Sequence, residues 1–209
     1  DCYLEIINGL KYICDKYKNS VAKIYSSSGS GIGTGFLIEE NKIATAKHVI
    51  DDLNDIKIEF EDGIEVTLED IHRPKKIKDL DLAIIELKET VNDRKVFTLE
   101  IDRNILEEVL ILGYPPIPHS DDAYLVANKG EVSSIISLYR NYIQGLVISS
   151  LLRGGNSGGP IINNRGEVIG VVSDNLYEKI NTDDNEDDEL AFAYAIGSEF
   201  LKDLIHQEI

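Results

Sequence analysis

The sequence predicts an all-β fold, a barrel or a sandwich, and an apparent second start near residue 108 suggests two barrels. Three observations carry this. Short apolar runs alternate with turn-forming clusters along most of the chain. Ile56-Lys57-Ile58-Glu59-Phe60 alternates strictly, as a half-buried strand must. After a charged, weakly patterned stretch at 88–107, strand rhythm resumes at Val109-Leu110-Ile111-Leu112.

In chain order, Leu4, Ile7, Leu10, Ile13, Tyr17 and Val21 recur at mostly helical intervals. They predict an amphipathic helix running into a strand at 21–25. It packs either on the outside of the main domain or at the end of a linker. Residues 26–31 are a Ser/Gly loop. Residues 33–38 and 43–50 read as a hairpin whose second strand ends at a histidine. Strands follow at 56–60, 64–68 and 82–87, the last just after Asp81. Beyond the boundary, strands are expected at 109–114, 124–127, 130–136, 142–150, 161–162, 168–172 and 190–196. Ser198 is placed to cap a final helix, with Glu199 in its first turn.

Bulk properties narrow the function. A chain of 209 residues that is 43% hydrophobic holds one large domain or two small ones. Its formal charge of -17 disfavours nucleic acid and anionic lipid, and no run is apolar enough to span a bilayer. No signal peptide is evident. The absence of any methionine points to a processed product or a piece of a longer chain. Cys2 and Cys14 have neither disulfide-framework nor zinc spacing, so they read as free thiols in a reducing, cytoplasmic setting. A helix would hold them too far apart for a bridge unless it breaks at Gly9. Residues 181–189 carry six acids in nine and read as a solvated loop, without the spacing of a calcium site.

The chemistry centres on Arg153-Gly154-Gly155-Asn156-Ser157-Gly158-Gly159-Pro160, four glycines around one serine. Such a loop folds tightly and turns backbone N–H groups toward an oxyanion. A serine hydroxyl needs a base, and histidine has the right pKa. Of the four histidines, His72, His119 and His206 sit in polar or surface contexts. His48 ends an apolar run and is the candidate base. Asp81, drawn inward by Leu82-Ala83-Ile84-Ile85, is the candidate orienting carboxylate, with Asp79 as its rival.

Thr45-Ala46-Lys47-His48-Val49, Asp81-Leu82-Ala83-Ile84 and Gly155-Asn156-Ser157-Gly158-Gly159-Pro160 lie in the order His, Asp, Ser. With Gly33-Thr34-Gly35-Phe36 and 108–115, they resemble the chymotrypsin-fold (trypsin-like) serine peptidases, nearest the bacterial Deg/HtrA-like branch without its PDZ domains. The likeness covers roughly residues 21–200. It implies two six-stranded antiparallel β-barrels with a helix at each end. The division would be 1–20 N-terminal helix, 21–104 first barrel with His48 and Asp81, 105–197 second barrel with Ser157, and 198–209 C-terminal helix.

It also implies serine endopeptidase activity through an acyl-enzyme, with no cofactor and no metal. Ser157 would be the nucleophile, His48 the base, Asp81 its orienter, and the N–H groups of Gly155 and Ser157 the oxyanion hole. The specificity pocket would be walled by Leu151, Val172, Ser173, Asp174, Ala193 and Tyr194, favouring a small or medium aliphatic residue. The expected partners are a polypeptide substrate and a fused or regulatory domain. Where secreted relatives carry an acid before the serine, this chain has Asn156, which excludes activation by an inserted N-terminus. The alternatives are a catalytically silent peptide-binding domain on the same fold and an interaction domain of a larger sensor protein. An ester hydrolase of another fold would want Gly-x-Ser-x-Gly at a strand-to-helix elbow.

Overall fold

The computed structural model describes residues 2–26, 31–51, 56–67, 75–76, 80–137, 144–179 and 189–206. His72, Asp79 and residues 181–188 of the acidic stretch lie outside them. The protein is mostly β, with helices at both ends. Helix α1 (Cys2–Tyr17) is interrupted at Gly9, where φ is 54°. A short 3₁₀ turn leads to β1 (Val21–Ser26), β2 (Ile32–Glu39) and β3 (Lys42–Thr45). Then come α2 (Lys47–Asp51), β4 (Ile56–Phe60), β5 (Glu65–Thr67), β6 (Lys75–Lys76) and β7 (Ala83–Glu86). These seven strands form one sheet in the order β5-β4-β1-β2-β3-β7-β6, a half barrel.

The second sheet begins with β8 (Thr98–Leu99), inside the span expected for the first barrel, which pairs parallel with β13 (Glu167–Lys179). Between them run β9 (Glu108–Gly113), β10 (Val126–Ser137), β11 (Gln144–Ile148) and β12 (Pro160–Asn163). β14 (Glu189–Gly197) and α3 (Glu199–His206) complete the chain. The order is β12-β9-β10-β11-β14-β13-β8, and a β12–β13 pairing closes six of these strands into a barrel.

Alternation along the strands divides the apolar residues. Ile24, Leu37, Ile43, Ile58 and Ile85 fill the concave side of the first sheet. Val109, Ile111, Leu146, Ile161 and Val172 fill the second barrel. The opposite faces of both sheets meet in a third cluster with α1 and α3, which includes Ile13, Phe36, Leu82, Leu112, Tyr194 and Leu201. Tyr17 stacks on Phe97 with ring centroids 4.4 Å apart, and Phe36 meets Phe97 edge-on at 5.5 Å. That fixes α1 to the segment joining the two sheets.

Three expectations are corrected. The strand foreseen at 43–50 ends at Thr45, because β7 supplies no pairing partner beyond Ala83; the chain turns into α2 instead. The strands foreseen at 124–127 and 130–136 are one. Its first half pairs with β9 and its second with β11, and an irregularity between Val132 and Ser134 accommodates the bend. Among the described residues, the Ser198 side chain accepts no N–H of α3; its hydroxyl donates to the Glu100 carbonyl of the joining segment.

Arg103, in that segment, donates two hydrogen bonds to the Glu199 carboxylate, at 2.5 and 2.6 Å, and its side chain is 5% exposed. Truncation leaves a part-buried carboxylate without its partner. Arg103→Ala is expected to lower unfolding free energy by about 3 kcal/mol in denaturant titration. Leu106 shows the opposite case. It adopts φ 67° while 74% exposed. A left-handed non-glycine residue costs roughly 1–2 kcal/mol, and glycine's extra unfolded-state entropy offsets about half of that. Leu106→Gly should therefore raise stability by about 0.5–1 kcal/mol, read as a higher denaturation midpoint.

Candidate active site

β3 ends level with the start of β7, and the chain turns so that His48 sits in the first turn of α2. Asp81 explains why it turns there. One carboxylate oxygen accepts the His48 backbone N–H at 2.8 Å, closing the start of the helix. The other lies 2.7 Å from His48 Nδ1 and 2.5 Å from Ser173 Oγ, which donates to it. Burial pushes the Asp81 carboxyl up, but the hydrogen bonds from the His48 ring, Ser173 and the His48 backbone outweigh it. The group is held below the ordinary carboxylate range. It is thus an anion with three donors, one of them an imidazole.

The serine loop is fastened to the same place from the other sheet. Gly158 N–H donates to the Val172 carbonyl at 2.7 Å, and Val172 N–H to the Gly159 carbonyl at 2.9 Å. Val172 and Ser173 are neighbours on β13, so one strand holds both the loop and the carboxylate. From the first sheet, Thr34 N–H donates to the Ser157 carbonyl at 2.8 Å and Thr34 Oγ1 to the Gly155 carbonyl at 2.6 Å. Thr34 Oγ1 also accepts the Tyr114 N–H at 3.1 Å, while the Thr34 carbonyl accepts Thr45 Oγ1 at 2.7 Å. Thr34 and Thr45 are fully buried.

Two glycines are required by this docking. Gly155 has φ +91°, and a Cβ there would meet the Tyr114 carbonyl; Gly158 has φ +84°, and a Cβ would meet the Thr34 carbonyl and the Ala46 nitrogen. Gly158 therefore lies against the end of β3, two residues from His48. Arg153 to Asn156 form a turn closed by Asn156 N–H to the Arg153 carbonyl at 3.1 Å. Neither Gly155 N–H nor Ser157 N–H is taken by a hydrogen bond among the described residues. Ser157 is half-buried, and no hydrogen bond joins its Oγ to the His48 ring among the described residues. Such contacts are commonly long without substrate and tighten when it binds.

Asn156 is 1% exposed, and its side-chain amide has no hydrogen-bond partner among the described residues. It packs against Gly113.

The expected pocket wall is rearranged by the strand period of two. Val172 and Ala193 face the interior of the second barrel, packed with Leu152. Ser173 and Tyr194 face the opposite way. Ser173 is spent on Asp81. Tyr194 joins the cluster between the sheets, where burial pushes its phenol up to about 12 and its hydroxyl finds no partner among the described residues. Leu151 is 73% exposed, because Leu152, not Leu151, turns into the barrel. Asp174 lies on β13, with its side chain outside the described residues. A single wall of Leu151, Val172, Ser173, Ala193 and Tyr194 is therefore not what these side chains form.

Thr34 and the Ser173–Asp81 bond went unnoticed in the sequence. The signal for Ser173 was present: a hydroxyl residue directly after the apolar run 168–172. Thr34 offered only its place between two glycines.

Among the described residues, no group of His, Cys, Asp and Glu is arranged to hold a metal ion, and no helix is long and apolar enough to cross a membrane.

A family model described as "Trypsin-like peptidase domain" matches residues 33–171. Serine protease HTR4 of Rattus norvegicus is 32% identical over 154 residues, covering 71% of this chain and 30% of the relative. Serine protease Do-like HtrA of Bacillus subtilis is 28% identical over 192 residues, covering 87% of this chain and 40% of the relative. The chain thus spans well under half the length of either. A crystal structure of the serine endoprotease from Yersinia pestis superposes with a TM-score of 0.70 at 20% identity, over 93% of this chain and 64% of that one.

Proposed function

The chain belongs to the trypsin-like peptidase family, and on that premise we propose that it is a serine endopeptidase that cleaves polypeptides through an acyl-enzyme. Ser157 Oγ attacks the scissile carbonyl carbon. His48 takes the hydroxyl proton and later delivers it to the leaving amine. Asp81 holds the imidazole with Nδ1 protonated and stabilises the imidazolium. The Gly155 and Ser157 N–H groups stabilise the oxyanion. Water, activated by the same histidine, then releases the acyl group.

The observation that carries this reading is the Asp81 carboxylate, bound at 2.7 Å to His48 Nδ1 and by Ser173 to the strand that holds the serine loop. A structural aspartate could cap α2 through the backbone alone. Here the second oxygen also meets the ring, in the place that holds an imidazole in the tautomer a base toward Ser157 needs.

Primary specificity is set beside the serine loop, where β13 and β14 carry Val172 and Ala193. Val172 and Ala193 are small and apolar there, which suits a small or medium aliphatic residue before the scissile bond. The neutral, buried Asn156 offers no ion pair to a newly cut N-terminus, so activation by N-terminal insertion is not expected. Ordering by substrate or by a fused partner domain takes its place. The test is labelling by a fluorophosphonate probe alongside peptide-library cleavage, each with a Ser157→Ala control. Labelling and cleavage that both vanish in the control support the reading. An unlabelled protein that still binds peptides would instead be the silent binding domain.

A further inference from the structure

A groove of about 450 Å³ lies on the first sheet, at the opposite end of β7 from Asp81. Val66 and Leu87, both buried, contribute to it, as do Val91, part-buried, and Ile64, 48% exposed. That volume lies within the range of small-ligand and peptide pockets. An isoleucine so exposed beside a concave apolar floor leaves room for an aliphatic side chain.

The rest of the lining is three acids, Glu65, Glu89 and Asp93, and two neutral polar residues, Thr90 and Asn92. Glu65, Glu89 and Asp93 are exposed, and none forms a salt bridge among the described residues. Among the described residues, no lysine or arginine lines the groove. The nearby Arg94 turns away, spending its guanidinium on Asp62 and the Asn19 carbonyl with its side chain 2% exposed.

Both walls are fixed in advance. Leu87 N–H donates to the Asn41 carbonyl and Val91 N–H to the Glu40 carbonyl, each at 2.8 Å, so the segment after β7 is tied to the β2–β3 turn. The β4–β5 turn is closed by Phe60 N–H to the Ile64 carbonyl at 3.0 Å and held by the bidentate Arg94–Asp62 pair. Asp93 completes its wall at φ 62°, which aspartate tolerates. Little ordering remains for a ligand to impose.

We propose that this groove is a docking site for a short basic peptide segment that carries an aliphatic side chain between its cations. The apolar floor takes the aliphatic group, and the three carboxylates take the lysines or arginines on either side. The charge of the lining selects this occupant over an acidic or neutral one. Since the chain carries a formal net charge of -17, charge alone would bind cations diffusely; the apolar floor localises them.

The test uses the whole chain as Ser157→Ala, so that the probe is not cut, with a fluorescein-labelled Lys-Arg-Leu-Arg-Lys peptide. Anisotropy should report saturable binding, and amide NMR shifts should concentrate at Val66, Leu87 and Val91. A Glu65→Lys, Glu89→Lys, Asp93→Lys variant should bind at least tenfold more weakly. So should replacement of the peptide's leucine by serine, which leaves the protein untouched. Shifts confined to the neighbourhood of His48 and Ser157, or equal binding after either change, would overturn the proposal. None of these readouts depends on turnover, so failure here leaves the peptidase reading standing.

Discussion

Ser157→Ala is expected to lower kcat by about 10⁶-fold, with KM changed little. The substitution removes one oxygen that is half-exposed at the loop surface, and the backbone that holds the loop is untouched. Thr34 still donates to the residue-157 carbonyl, and Val172 still clasps Gly158 and Gly159. Folding should be unaffected, which circular dichroism and thermal melting check directly. Single-turnover assays with an activated ester should show no burst of leaving group, because no acyl-enzyme forms. His48→Ala should fall to a similar floor, and the double variant should fall no further, since groups that act as one unit are not additive. The residual rate should still exceed water's by roughly 10³–10⁴, supplied by the oxyanion donors and binding. A loss of only a few-fold would mean the bond is cut elsewhere.

Asp81→Asn should cost about 10⁴-fold in kcat at neutral pH. The aspartate accepts from three donors: the His48 N–H, His48 Nδ1 and Ser173 Oγ. An asparagine offers one accepting oxygen and one donating NH₂. Whichever way it is turned, a donor faces a donor, or the imidazole must take its other tautomer and cease to be a base toward Ser157. A stability effect accompanies the kinetic one, and its sign can be worked out. The folded Asp81 carboxyl titrates below its unfolded value of about 4. Its stabilisation is therefore complete above that value and is lost as pH falls through the lower folded one. The melting-temperature gap between wild type and Asp81→Asn should be widest near neutrality and shrink below about pH 4. A gap independent of pH would mean the carboxylate's charge is not what the site uses.

The pairing of His48 with Asp81 was more legible in the sequence than the side chains around it. His48 and Asp81 announced themselves because each is polar at the end of an apolar run, and a chain places such residues at the rim of a sheet. The all-β architecture was legible for a related reason: period-two alternation survives even in the short β4. What failed was the side of the strand. Ser173 and Tyr194 were grouped with Val172 and Ala193 as one pocket, yet adjacent strand residues face opposite ways. The extent of β10 was hidden because one strand changes partner halfway, and nothing local marks a change of partner. Thr34 was invisible for a different cause. Its four bonds reach residues 11 to 123 positions away, and long-range pairing leaves no trace in a window of sequence. Leu106 runs against local preference, so no propensity would have placed it in a left-handed turn.

The same Thr34 has a bearing on the newly made chain. Its partners at Tyr114, Gly155 and Ser157 leave the ribosome long after it does. A nascent protein whose first sheet has formed already carries the imidazole and the carboxylate, but neither the hydroxyl nor the strand that bears Ser173. On the proposed mechanism, the catalytic group is therefore incomplete until synthesis has passed β13.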